Sequence, residues 1–146
     1  MSGRVKIEGL RELEQALMAL GKVAAKNVAR RTLMKAAQPI ADDAAQRAPE
    51  ETGSLIKSVA ASTRNPKRNK KESPVEVHVG PGRSPRAHLQ EFGSRRHGPQ
   101  PFLRPAWEGG KDDALASIAG DLADEIDKAA KRQSRKAARL ARKAAG

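Results

Sequence analysis

Two Phe, one Trp and no Tyr are spread over 146 residues, and all three rings fall between Phe92 and Trp107. Aromatic rings carry a large burial energy each, so a chain this poor in them must place them where packing decides the structure. The window that holds them reads Glu91-Phe92-Gly93-Ser94, then a polar loop, then Pro101-Phe102-Leu103-Arg104-Pro105-Ala106-Trp107. It is a packing hub or an interface anchor, and it contains no arrangement suited to catalysis. Plain core packing accounts for Phe92 as well as an interface does. Pro101 and Pro105 bracket Phe102-Leu103-Arg104 and fix an extended approach to the last helix. A rigid aromatic of that kind suits an anchor on a partner as well as a core plug.

The rest of the chain offers little to build a core from. Hydrophobic residues make up 38% of it, and many of them are Ala, which buries little area. The length is that of one domain with one modest core. Such a chain is expected to be marginal alone and stable in an assembly. Its formal net charge of +12 calls for an anionic partner: nucleic acid, an acidic protein surface or anionic lipid. The absence of Cys excludes disulfides, thiolate catalysis and Cys-ligated metals. No apolar run approaches the ~20 residues of a membrane span. Met1-Ser2-Gly3-Arg4 lacks the apolar stretch of a signal peptide, so a protein made and used in soluble form is expected.

Periodicity outlines an α+β chain. Arg4-Val5-Lys6-Ile7-Glu8 alternates as a short strand ended by Gly9. Leu10, Leu13, Leu17 and Leu20 recur at helical spacing up to Gly21. A longer helix is expected from Lys22 to Arg47, with an apolar face through Val28, Leu33, Ala37, Ile40, Ala44 and Ala48. Pro39 should kink or interrupt it, and Ala48-Pro49 should close it. After the turn Thr52-Gly53-Ser54, the run Leu55 to Ala61 reads as a strand, with a helical turn possible at its start. Arg64-Asn65-Pro66-Lys67-Arg68-Asn69-Lys70-Lys71 is a polar loop with five bases. Val75, Val77 and Val79 then alternate on one strand face, ended by Gly80-Pro81-Gly82. The two runs form an antiparallel hairpin with a long basic tip. Arg83 to Gln100 reads as irregular apart from a helical turn at His88 to Phe92, and a last helix begins after Pro105 with a stripe through Leu115, Ile118, Leu122 and Ile126. The expected architecture is a small antiparallel sheet with a long hairpin, packed against two N-terminal helices and a long C-terminal helix.

Charge divides that last helix. Lys111 to Asp127 holds one base against six acids; Lys128 to Gly146 holds eight bases and no acid. Acids early and bases late suit the helix dipole. The chain therefore divides into a domain over residues 1–127 and a basic helical extension over 128–146. Lys131, Arg132, Arg135, Lys136, Arg139, Arg142 and Lys143 are candidates for contact with DNA or an acidic partner, as are Arg64, Lys67, Arg68, Lys70 and Lys71 of the loop. A frayed, solvated helix end and a solubilising loop are the plain alternatives. Catalysis finds no support. His78, His88 and His97 have no metal-ligand spacing, no nucleophile elbow occurs, and Gly80 and Gly82 lack the Lys-Ser/Thr of a phosphate loop. Neither cofactor nor metal is expected.

Four pieces in order carry a resemblance: Val5-Lys6-Ile7-Glu8-Gly9-Leu10 with Glu12-Leu13; Ala48-Pro49 with Thr52-Gly53-Ser54-Leu55 and Ser58; Glu91-Phe92-Gly93-Ser94; and Pro101-Phe102-Leu103-Arg104-Pro105-Ala106. This set resembles the neck or tail-completion proteins that join head to tail in long-tailed double-stranded-DNA bacteriophages. The resemblance implies a non-enzymatic virion protein, made in the host bacterial cytoplasm and assembled as a ring, a hexamer, through which the genome passes. Its partners would be neighbouring connector, stopper and tail-tube proteins, with non-specific duplex contact and no membrane. A ring needs a heterologous interface, for which Glu91, Phe92, Gly93, Pro101, Phe102, Arg104 and Pro105 are the candidates. The alternative is a small cellular nucleic-acid-binding protein, nucleoid- or ribosome-associated, that uses the same basic tail without a ring.

Overall fold

Helical spacing of leucines and an Ala-rich run produce the first two elements, α1 (Leu10–Ala19) and α2 (Lys22–Arg47). The computed structural model describes residues 10–49, 53–64, 73–82 and 84–146, without the side chains of Leu10 and Pro85. The expected strand at Arg4 to Glu8, the turn residue Thr52 and the loop bases Lys67, Arg68, Lys70 and Lys71 lie outside the described residues. Pro39 does not interrupt α2. It is exposed, so the Lys35 carbonyl that loses its helical donor lies on the solvent side. The buried face of α2 runs through Val28, Thr32, Ala36, Ile40, Ala41 and Ala44, one residue round from the expected Leu33 and Ala37, which are half-buried. The Thr32 hydroxyl donates to the Val28 carbonyl at 2.9 Å and so stays satisfied inside the core.

Gly53, at φ 65°, turns the chain into α3 (Ser54–Ser58), so the strand expected from Leu55 starts later, as β1 (Val59–Ser62). It pairs antiparallel with β2 (His78–Pro81), Val59 opposite Pro81 and Ser62 opposite His78. Val75 and Val77, expected in the same strand, are half-buried but unpaired, because the partner strand ends at Ser62. Pro81 is tolerated at the last rung, where the ladder no longer needs its missing donor. The helical turn expected at His88 to Phe92 extends back to a full helix, α4 (Pro85–Phe92), with Pro85 in its first turn. The last helix, α5 (Leu103–Ala145), begins before Pro105 rather than after it and runs unbroken for 43 residues.

The fold is α+β: α2 lies antiparallel along α5, and the hairpin packs on the far half of α2. Small side chains let the two helices approach closely. A Cβ built on Gly110 of α5 would stand 2.8 Å from Ile40 Cγ1. One core cluster gathers Ile40, Ala44, Ala48, Leu55 and Ala87 around Phe102 and Ala106. A second joins Leu20, Val28, Ile126 and Ala129, with Leu13, Leu17 and Leu122 at its edge. Packing on α5 therefore continues past Asp127, to Ala129 and to Gln133, whose side-chain amide donates to the Leu20 carbonyl at 2.6 Å. Beyond Gln133 every residue of α5 is exposed. No described helix is long and apolar enough to cross a membrane.

Candidate assembly and nucleic-acid interface

A helix leaves its first four N–H groups without internal partners. For α5 these belong to Phe102, Leu103, Arg104 and Pro105, and Pro105 has none to satisfy. Glu91, at the end of α4, takes the other three. Its Oε2 accepts from Phe102 N (2.8 Å) and Leu103 N (3.0 Å), and its Oε1 from Arg104 N (3.0 Å). The Arg104 side chain closes the module. Its Nε donates to Glu91 Oε1 at 3.1 Å and its Nη2 to the Glu91 carbonyl at 3.0 Å. Burial pushes the Glu91 carboxyl upward, but the amides of Leu103, Phe102 and Arg104 and the Arg104 guanidinium together hold it below its ordinary value. A negative charge at a helix N-terminus also meets the positive end of the dipole.

Gly93 makes the link between Glu91 and α5 possible. Its φ of 83° and ψ of 172° belong to a region that is essentially glycine's alone, and a Cβ there would lie 2.9 Å from Pro99 N. Its N–H closes α4 on the Leu89 carbonyl at 2.8 Å, and Gln100 N returns to the Gln90 carbonyl at 2.7 Å. The Glu-Phe-Gly and Pro-Phe-Leu-Arg-Pro pieces are thus two halves of one helix-starting module.

The module corrects the interface candidates. Phe102 is 0% exposed and Glu91 4%, so both are used inside their own chain and present no surface to a neighbour. Gly93 and Pro105 are half-buried, and Pro101 is exposed. The surface belongs to other members of the window. Phe92 is 58% exposed and Trp107 55%. The Arg104 guanidinium lies 5.0 Å from the centre of the Phe92 ring, and the His88 ring centre lies 5.0 Å from it, one turn back along α4. Leu89, also exposed, precedes Phe92 by three residues of α4.

The charged surface lies along the α2–α5 seam. Lys35 pairs with Asp121 and Arg31 with Glu125, each at 3.1 Å. The Lys35 ammonium, and after it the Ser117 hydroxyl, hold Asp121 below its ordinary value. One turn further, the pairing fails, because α5 has changed sign. An open groove there is lined by Arg31 from α2 and by Glu125, Lys128, Lys131, Arg132 and Arg135 from α5. Lys128 reaches Glu125 at 3.8 Å and Lys131 reaches Asp127 at 3.0 Å. Among the described residues, Arg132, Arg135, Lys136, Arg139, Arg142 and Lys143 have no carboxylate partner. At 3.6 residues per turn, the eight bases from Lys128 to Lys143 fall within an arc of roughly 140°.

Of the loop candidates only Arg64 is described; it is exposed just past β1, with its N–H on Ser62 Oγ. The contribution of α2 escapes a reading of the sequence alone. From Lys22 to Ala41 it carries Lys22, Lys26, Arg30, Arg31 and Lys35 and no acid. That run is visible in the sequence, but only antiparallel packing brings Arg31 beside Lys128.

A profile of the HK97-gp10-like family, described as "Bacteriophage HK97-gp10, putative tail-component", matches residues 11–93, more than half of the chain. The match ends at the Gly93 turn, so α5 lies outside it. No curated protein and no solved structure matches significantly.

Proposed function

The chain belongs to the HK97-gp10-like family of bacteriophage tail components, and from that premise we propose that it is a non-enzymatic virion protein that forms a homo-oligomeric ring at the head–tail junction, with DNA passing through. Its neighbours would be connector, stopper and tail-tube proteins. The observation that carries this reading is α5: a helix whose last turns touch nothing in their own chain and display bases without acids. In a ring, each copy adds weak phosphate contacts around one duplex, and avidity multiplies them. The Ala-rich, two-cluster core fits a subunit that gains stability from neighbours.

Phe92, flanked by Arg104 and His88, is the anchor we assign to the contact between copies, with the exposed Leu89 and Trp107 close to it in sequence. Aromatic and Arg side chains dominate interface energies when desolvated together. The test is mass by light scattering, alone and with tail-tube protein. The chain is expected to form a species several times its 15.7 kDa mass, and Phe92→Ala to return it to monomer with the melting temperature of the wild-type chain diluted until it too is monomeric. A lasting monomer under both conditions contradicts the ring.

A further inference from the structure

The α2–α5 groove carries a charge imbalance that the fold alone does not explain. Five bases, Arg31, Lys128, Lys131, Arg132 and Arg135, line it with a single acid, Glu125. Like charges across a helix seam are destabilising, and a seam that pairs correctly one turn earlier could have continued to do so. Glu125 is shared: its Oε2 accepts from Arg31 Nε at 3.3 Å and Nη2 at 3.1 Å, while its Oε1 lies 3.8 Å from Lys128 Nζ. Lys131 turns to Asp127 at 3.0 Å, outside the lining, and Arg132 and Arg135 are left with no carboxylate.

We propose that this groove is a phosphate-binding site for the backbone of duplex DNA, in which Arg31 of α2 joins the basic arc of α5 and Glu125 is the resident competitor for the same cations. The proposal rests on the DNA-contact reading of α5 and adds a second helix and an internal counter-charge to it. The length of the unpaired run, from Arg132 to Lys143, favours a continuous polyanion such as nucleic acid over a small acidic patch. From Lys128 to Lys143, α5 advances ~22 Å and presents a base about every 3 Å. A duplex carries a phosphate of each strand for every ~3.4 Å of its axis, a charge that continues along its whole length. Arg31 supplies the planar fork that grips a phosphate with two parallel bonds. In the free protein that fork is turned onto Glu125, so DNA must draw it away.

Binding of the full chain to a labelled duplex of mixed sequence, measured by anisotropy from 50 to 200 mM salt, tests the groove. Arg31→Ala is compared with Arg30→Ala, which removes the same charge one residue outside the groove lining. Arg31→Ala should weaken binding and make the slope of log K against log salt shallower by about 0.9, the share of one phosphate contact. Arg30→Ala should change the slope far less, Arg31→Lys should keep most of it, and Glu125→Gln should tighten binding several-fold. Circular dichroism melts accompany each variant. Equal slopes for Arg31→Ala and Arg30→Ala, or a Glu125→Gln protein that binds no tighter, overturn the groove while leaving the DNA reading of α5 intact. A full chain that fails to bind duplex even at 50 mM salt overturns that reading itself. Polyglutamate competing as well as duplex at equal charge concentration overturns the assignment to nucleic acid.

Discussion

Glu91 fixes the start of α5 from eleven residues away, and its charge is what makes the cap work. Because its folded pKa lies below the unfolded value, it stabilises the fold above the unfolded pKa of about 4.3, and that contribution is lost as pH falls through the folded value. Glu91→Gln replaces an acceptor oxygen by an NH2 that faces backbone donors. Hydrogen bonds to a charged group are worth about 2 kcal/mol, so thermal melts at pH 7 should show a loss of about 6 °C. The gap between the two proteins should narrow as the pH is lowered through the native Glu91 titration; a constant gap down to pH 2 would mean that the carboxylate's charge is irrelevant. The residues of this module are conspicuous in the sequence, but their partners are not. A Ser-x-x-Glu capping box is local and readable, whereas a carboxylate that caps a helix across a loop has no spacing signature. The sequence alone therefore offers Glu91 and Phe102 to a neighbour, and packing turns both inward.

At the scale of elements, periodicity locates what is amphipathic. The bounds of α2 are legible from Lys22 to Arg47 because Gly21 and Ala48-Pro49 punctuate it. The hairpin pairing is legible too, though not its extent: β2 is limited by the length of β1, a fact of the partner rather than of the valines. The first turn of α4, Pro85 to Ala87, is hidden because it opens on Pro85 beside Arg86, which on composition reads as loop, whereas His88 to Phe92 is legible as helical. The charge reversal in α5 is plain, whereas its packing boundary is not. Ala129 and Gln133 look like extension and behave as body. Two truncations separate these meanings. Ending the chain after Ser134 should leave the melting temperature nearly unchanged, within the ~0.5 kcal/mol of ordinary surface changes, while weakening duplex binding. Ending it after Asp127 should lower the melting temperature as well, since it removes the buried Ala129 and the Gln133 amide that satisfies the Leu20 carbonyl. Equal stability of the two would put the boundary back at Lys128.

At the scale of the whole molecule, the chain has a body built on one helix seam, an exposed aromatic–guanidinium patch where α5 begins, and an unpaired basic arm where it ends. The patch and the arm lie at opposite ends of α5, so contact between copies and contact with an anion need not compete. Family membership rests on the match over residues 11–93, which contains the second of the four motifs and all of the third but Ser94, and ends at the Gly93 turn. The proposed ring has no signature of its own in the chain, because symmetry is written on surfaces and not in periodicity. It is tested most directly by an averaged map of purified virions. The account predicts cyclic density at the head–tail junction that accommodates several copies of this fold, with the bases of α5 facing the DNA. Particles that lack the chain there, or that hold it with those bases turned from DNA, would contradict it.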